Sequence, residues 1–241
     1  DGGANWSEWR PFAFKDTWAL TAGDGVKTVS AQFKDAAGLS SAIVSDTITL
    51  DMTEPTGSVS INGGALYANS RSVTLGLPAS DGLSGVTYMR FGTDGSNWGS
   101  WRAYTASTTY TLPSGEGTRT VYAQFKDGAG NVSAAVSDSI IVDGTPPDGG
   151  ILINSGAAYT TSTAVTLNLD ATDGVSGVSQ MCFSSDGNSY SAWQAYQSTA
   201  SWNLASGEGI KLVYAKFRDG AGNATTIYYN DSIALGTPVT I

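Results

Sequence analysis

With 241 residues, a formal net charge of −9 and only 12 Lys and Arg, the sequence has no basic footprint for nucleic acid or an anionic membrane surface. It has no His and a single Cys, which removes Ser-His-Asp and Cys-His catalysis, the usual zinc ligand sets and Cys-x-x-Cys-His haem attachment. Of its 21 acids 17 are Asp, a turn residue, and with 30 Gly they describe strands joined by turns rather than helices.

The stretch Val121-Tyr122-Ala123-Gln124-Phe125-Lys126-Asp127-Gly128-Ala129-Gly130-Asn131 recurs almost letter for letter as Val29 to Leu39 and as Val213 to Asn223, so Asp35, Asp127 and Asp219 stand 92 residues apart. That period is the length of one small all-β domain. Val121, Ala123 and Phe125 alternate with Tyr122, Gln124 and Lys126, which predicts a strand buried on one face. The Asp-Gly-Ala-Gly-Asn that follows supplies side-chain caps and positive φ for a tight loop.

Taken in chain order, the first copy is incomplete. Asp1-Gly2 aligns with Asp94-Gly95 and Asp186-Gly187, and about 42 residues that open the second copy near Met52 have no counterpart in the first. Its expected strands are Trp6 to Phe12, Thr17 to Leu20, Val26 to Phe33 and Ser45 to Leu50, the second half of a sandwich. After the linker Asp51-Met52-Thr53-Glu54-Pro55-Thr56, the second copy predicts strands at Gly57 to Ile61, Ser72 to Leu77, Val86 to Phe91, Trp98 to Tyr104, Thr108 to Leu112, Thr118 to Lys126 and Val136 to Val142. The third repeats this from Asp148 to Leu235, with Gly236 in place of the linker acids Asp51 and Asp143. The domains are therefore expected at 1–51, 52–143 and 144–241. No apolar run approaches the roughly 18 residues that span a bilayer, and the start is expected to be a mature or excised end rather than a signal peptide.

The Asp-Thr/Gly-x-Pro type linkers at Asp51 to Pro55 and Asp143 to Pro146, together with the turns at Asp35, Asp127 and Asp219, resemble the bacterial immunoglobulin-like repeats found in tandem in surface adhesins and filaments. The resemblance covers the whole chain, counting the first copy as a half. It implies an all-β fold of tandem immunoglobulin-like β-sandwich domains, about seven antiparallel strands each, and an extracellular or cell-surface place on a bacterium.

In such a sandwich the loops after the second and sixth strands lie at the end where the chain enters. That gathers Asp81 and Asp127 near Asp51 and Glu54, with Asp24 facing them, and Asp173 and Asp219 near Asp143 and Asp148, with Glu116 across from them. Oxygen donors of this kind suit calcium, which in the related adhesin repeats stiffens the hinge between domains. The alternative is that each Asp caps only its own turn, since no Asp-x-Asp ligand run is present.

Trp9, Trp101 and Trp193 recur, preceded three residues earlier by Trp6, Trp98 and Tyr190. A spacing of three on a strand puts neighbours on opposite faces, so core packing competes with sugar stacking or subunit contact for Trp6, Trp98 and Tyr190. Cys182 stands where the second copy has Arg90, and Asn-x-Ser/Thr sequons occur at Asn5, Asn131, Asn223 and Asn230.

The expected role is non-catalytic and structural: an adhesin segment, stalk or filament whose half domain is completed by upstream chain or by a neighbouring subunit. A carbohydrate-binding accessory module of a larger exported protein is the alternative. No other cofactor is expected.

Overall fold

The computed structural model describes residues 6–236; the expectations placed on Asp1-Gly2, on the sequon at Asn5 and on the tail beyond Gly236 lie outside the described residues. The described residues hold strands and turns and no helix, so none is long and apolar enough to cross a membrane. They divide into two compact units, one holding the chain up to Ser60 with Gly76–Thr108 and Val121–Ser137, the other Ile61–Leu75, Thr109–Thr120 and the chain from Asp138 onward.

In the first copy β1 (Gly25–Ala31) and β2 (Val44–Leu50) form an antiparallel pair in which Val29 faces Asp46. No strand forms between Trp6 and Leu20, where two were expected. The reason is topological. Their counterparts in the third copy add to the strands Ala164–Thr172 and Val178–Ser184, for which the described residues before Trp18 hold no equivalent, and a strand without a partner leaves its backbone groups unpaired.

The second copy contains β3 (Thr56–Gly57), β4 (Ser60–Ile61), β5 (Tyr67–Ala68), β6 (Ser72–Gly76), β7 (Ala79–Ser80), β8 (Val86–Gly92), β9 (Arg102–Ala103), β10 (Ser107–Thr111), β11 (Gly117–Asp127) and β12 (Val136–Val142). The alternation read from the sequence sets the burial: Val73 and Leu75 on β6, Met89 and Phe91 on β8, and Val121, Ala123 and Phe125 on β11 are buried, with the residues between them wetter. The strand expected at Gly57 to Ile61 is broken at Ser58 and Val59. The one expected at Trp98 to Tyr104 shrinks to the two residues of β9, which pair with Tyr88 and Met89.

The third copy repeats the set as β13 (Asp148–Ile153), β14 (Tyr159–Thr160), β15 (Ala164–Thr172), β16 (Val178–Ser184), β17 (Gln194–Ala195), β18 (Thr199–Asn203), β19 (Gly209–Asp219) and β20 (Tyr229–Leu235). Two sheets, β13-β15-β18 and β14-β20-β19-β16-β17, enclose Ile153, Leu167, Met181, Phe183, Val213, Phe217 and Ile233. This is the immunoglobulin-like sandwich in complete form. One pairing adds to the antiparallel scheme: β14 runs parallel to β20, as β5 does to β12. A cap recurs too, with Asp138 Oδ2 accepting the Ile61 N–H at 2.7 Å and Asp231 Oδ2 the Ile153 N–H at 2.8 Å. The Gly236 N–H bonds to the Thr160 carbonyl as the Asp143 N–H bonds to that of Ala68, so Gly236 does occupy the linker-acid position.

Candidate functional site

The loop after β7 begins with Asp81, whose Oδ1 accepts the N–H groups of Leu83, Ser84 and Gly85 at 2.8–3.1 Å. Asp173 does the same for Val175, Ser176 and Gly177. Short Asp side chains fold back onto the next residues' amides in this way, and the turn fixes where the carboxylate sits. Desolvation pushes the Asp81 carboxyl upward and is the largest single influence, yet the bonds from Leu83, Gly85 and Ser84 together hold it below the ordinary Asp value.

At the end of β11, Asp127 Oδ1 accepts the Gly130 and Asn131 N–H groups at 2.6 and 2.8 Å, and its Oδ2 accepts Asn131 Nδ2 at 2.8 Å. Asn131 Nδ2 also donates to the Asp51 carbonyl at 3.1 Å. In the third copy Asn223 donates likewise to Asp219 Oδ2 at 2.7 Å and to the Asp143 carbonyl at 2.8 Å. One amide thus ties the loop acid to the linker.

The linker acid closes the group. Asp51 accepts Thr53 N–H on Oδ1 and Ser84 N–H on Oδ2; Asp143 accepts Thr145 N–H and Ser176 N–H in the same way. The Ser84 N–H is therefore shared between Asp51 and Asp81, and the Ser176 N–H between Asp143 and Asp173. A single donor between two carboxylates draws them together. The result is two triads, Asp51, Asp81, Asp127 and Asp143, Asp173, Asp219, in each of which one carboxylate oxygen per residue lies within 4.8 Å of the others.

Asp51 is 8 % exposed, Asp127 2 %, Asp143 0 % and Asp219 1 %, so two members of each triad are buried. Among the described residues no Lys or Arg pairs with any of the six; the ion pair present, Arg10 with Asp16, lies elsewhere. Three like charges this close, two of them out of water, repel one another more strongly than surface acids do. Three carboxylates, with no nitrogen or sulfur ligand among them, form a donor set that fits a hard divalent cation such as calcium.

The remaining expected ligands lie apart from the triads. Glu54 is exposed and joins neither. Asp148, on β13, accepts the Tyr229 hydroxyl at 2.7 Å. Asp24 accepts Met52 N–H and the Thr53 hydroxyl, and Glu116 accepts Gly144 N–H and the Thr145 hydroxyl, so each clasps the linker just past its acid. The parts missed in the sequence are Asn131, Asn223 and the shared Ser84 and Ser176 amides. Their signal was the recurrent Gly-Asn and Ser-Gly that end the two loops.

The aromatic positions resolve into cation–ring stacks. Lys34 lies 4.2 Å from the Trp9 ring, Lys126 4.6 Å from Trp101 and Arg218 4.3 Å from Trp193, the same pair in all three copies. Arg90 lies between Trp98, at 5.0 Å, and Trp101, at 4.4 Å. Where Cys182 replaces Arg90, Lys216 instead covers Tyr190 at 4.4 Å. Trp6 is 48 % exposed. Of the sequons, Asn131 and Asn223 have their amides engaged and their hydroxyls, on Ser133 and Thr225, buried, whereas Asn230 is exposed.

No protein-family model matches the chain, and no curated protein matches it. Among solved structures, fibronectin(III)-like modules of Clostridium thermocellum CbhA are similar with a TM-score of 0.46 and 14 % identity, over 73 % of this chain and 92 % of that one. The chicken CNTN1 FN1–FN3 domains give 0.48 and 11 %, over 88 % and 76 %. A tetra-tandem repeat in the extending region of a large adhesion protein gives 0.27 and 21 %, over 88 % and 56 %.

Proposed function

We propose that the chain is a non-catalytic structural segment of a bacterial extracellular protein of the adhesin, stalk or filament kind, built from repeats at 1–51, 52–143 and 144–241, and that each acidic triad binds one calcium ion. The observation that carries this reading is the recurrence of the triad. Linker acid, turn acid and loop acid return at the 92-residue period with the same hydrogen bonds and without a basic partner. A bound ion would neutralise the buried charge and fasten the linker to both loops of the sandwich that follows it. A linker so held transmits force between successive repeats instead of swivelling. Covering of the Trp101 and Tyr190 rings by Lys126 and Lys216 favours this reading over sugar stacking.

Calorimetric titration of the chain with calcium is expected to show two sites. Asp127→Ala removes one and Asp219→Ala the other, while thermal unfolding shifts upward with calcium, by about 2.7 kcal/mol per site at a hundredfold excess over Kd. Absence of heat above the buffer control overturns the calcium reading.

A further inference from the structure

Each linker is also held from the side of the repeat before it, by an acid that belongs to neither triad. Asp24 stands between Gly23 and Gly25, and Glu116 between Gly115 and Gly117, with all four glycines at φ between 85° and 115°. Only glycine takes such angles without strain, so the chain ahead of β1 and β11 is pinched on both sides of the acid. A basic side chain braces each turn: Lys27 Nζ donates to the Ala22 carbonyl at 3.3 Å, and Arg119, one period on, to the Ser114 and Glu116 carbonyls at 2.9 and 3.0 Å. The braced acid then takes two donors from the linker. Asp24 accepts the Met52 N–H at 2.8 Å and the Thr53 hydroxyl; Glu116 Oε1 accepts the Gly144 N–H at 3.0 Å and the Thr145 hydroxyl at 2.7 Å. Hydrogen bonds to a carboxylate are stronger than those between neutral groups.

The far end of each linker belongs to the following repeat. Pro55 and Pro147 are buried, and β3 and β13 begin at the next residue. One residue separates the clasped Thr from the buried Pro, Glu54 in the first linker and Pro146 in the second. A residue ahead of proline is confined to extended backbone, and Pro146 has its own φ fixed as well. With the clasp closed, neither linker keeps a freely rotating residue. The two holds meet at Thr53 and Thr145, whose N–H goes to the linker acid and whose hydroxyl goes to the clasp acid.

We propose that Asp24 and Glu116 are latches that fix each repeat to the one after it through the Thr53 or Thr145 hydroxyl, and that they do so without an ion. The triad bonds the linker acid to the loops of the repeat that follows; the latch bonds the next two residues to the repeat that precedes. Its signature is Gly-acid-Gly-x-Lys/Arg, at Gly23 to Lys27 and Gly115 to Arg119. Neither latch acid is a triad member, so the latch stands or falls apart from calcium.

The test is run on the full chain with chelator present. Spin labels on Thr111→Cys and Ser201→Cys, exposed positions of the second and third copies that share one compact unit, report the spread of inter-repeat distances; the buried Cys182 stays unlabelled. Glu116→Ala and Thr145→Val are each expected to broaden that spread relative to the unmodified chain, and to make the Gly144 amide exchange on the order of tenfold faster by NMR. Thr145→Ser, which keeps the hydroxyl, should leave both unchanged. An equally narrow spread in Glu116→Ala and Thr145→Val overturns the proposal, since the joint would then be held without the latch. So does a spread in the unmodified chain as broad as in the variants, or a Thr145→Ser chain that behaves like Thr145→Val.

Discussion

Asp186 shows at the scale of one residue why Asp outnumbers Glu so heavily here. Its Oδ1 accepts the N–H groups of Asn188 and Ser189 at 2.8 Å and the Ser184 hydroxyl at 2.8 Å, a reach that one more methylene would overshoot. Bonds from the Ser189 and Asn188 amides, then from Ser184, hold its carboxyl at about 2 against an ordinary 3.8. A carboxyl depressed in the fold contributes stability that is complete above the unfolded value and lost as pH falls through the folded one. Thermal midpoints followed by circular dichroism should therefore drop between about pH 4 and pH 2, and Asp186→Asn should make that drop shallower. An unchanged profile in the variant would show that the cap contributes nothing. The equivalent Asp94 is held lower still, chiefly by the Asn97 amide, and together with the lowered Asp24 and Asp81 it contributes to the slope that persists.

At the scale of the element, β13 carries a glycine whose role is spatial. A Cβ on Gly149 would meet the Asp170 carbonyl at 2.6 Å and the Ala171 Cβ and Phe217 Cε2 at 2.9 Å, and Gly57 on β3 stands against Phe125 in the same way. Gly149→Ala should cost about 1–3 kcal/mol in urea unfolding, because backbone cannot yield as a flexible side chain would; a neutral substitution would mean that β13 is free to shift. Nothing in the letters around Gly149 announces this crowding, which arises between strands far apart in sequence. What could be read was local. The alternation through Val121, Ala123 and Phe125 foretold β11 and its burial, and the Asp that ends each strand foretold the loop cap. Trp98 to Tyr104 misled, since its aromatic spacing serves a stack with Arg90 and Lys126 rather than a continuous strand. Trp6 to Leu20 misled because a strand needs a partner, and none of the described residues supplies one.

For the whole molecule, the 92-residue period was legible and the meeting of the triads half so: the acids were visible, their shared amides were not. The same inventory sets how the chain answers to its surroundings. It has no His, so no side chain with an ordinary pKa titrates between pH 5 and 8. The phenols of Tyr190 and Tyr229 are moved upward by burial, further from that range. Its charge of −9 is thus steady through neutrality, and the field that would draw the proposed divalent cation is weakened by salt. Calcium affinity, measured by calorimetry, is expected to weaken as sodium chloride rises from 0.01 M, where the Debye length is about 30 Å, to 0.15 M, where it is about 8 Å. An affinity that does not respond to salt would mean that the negative field does not draw the ion and would count against the triads as the site.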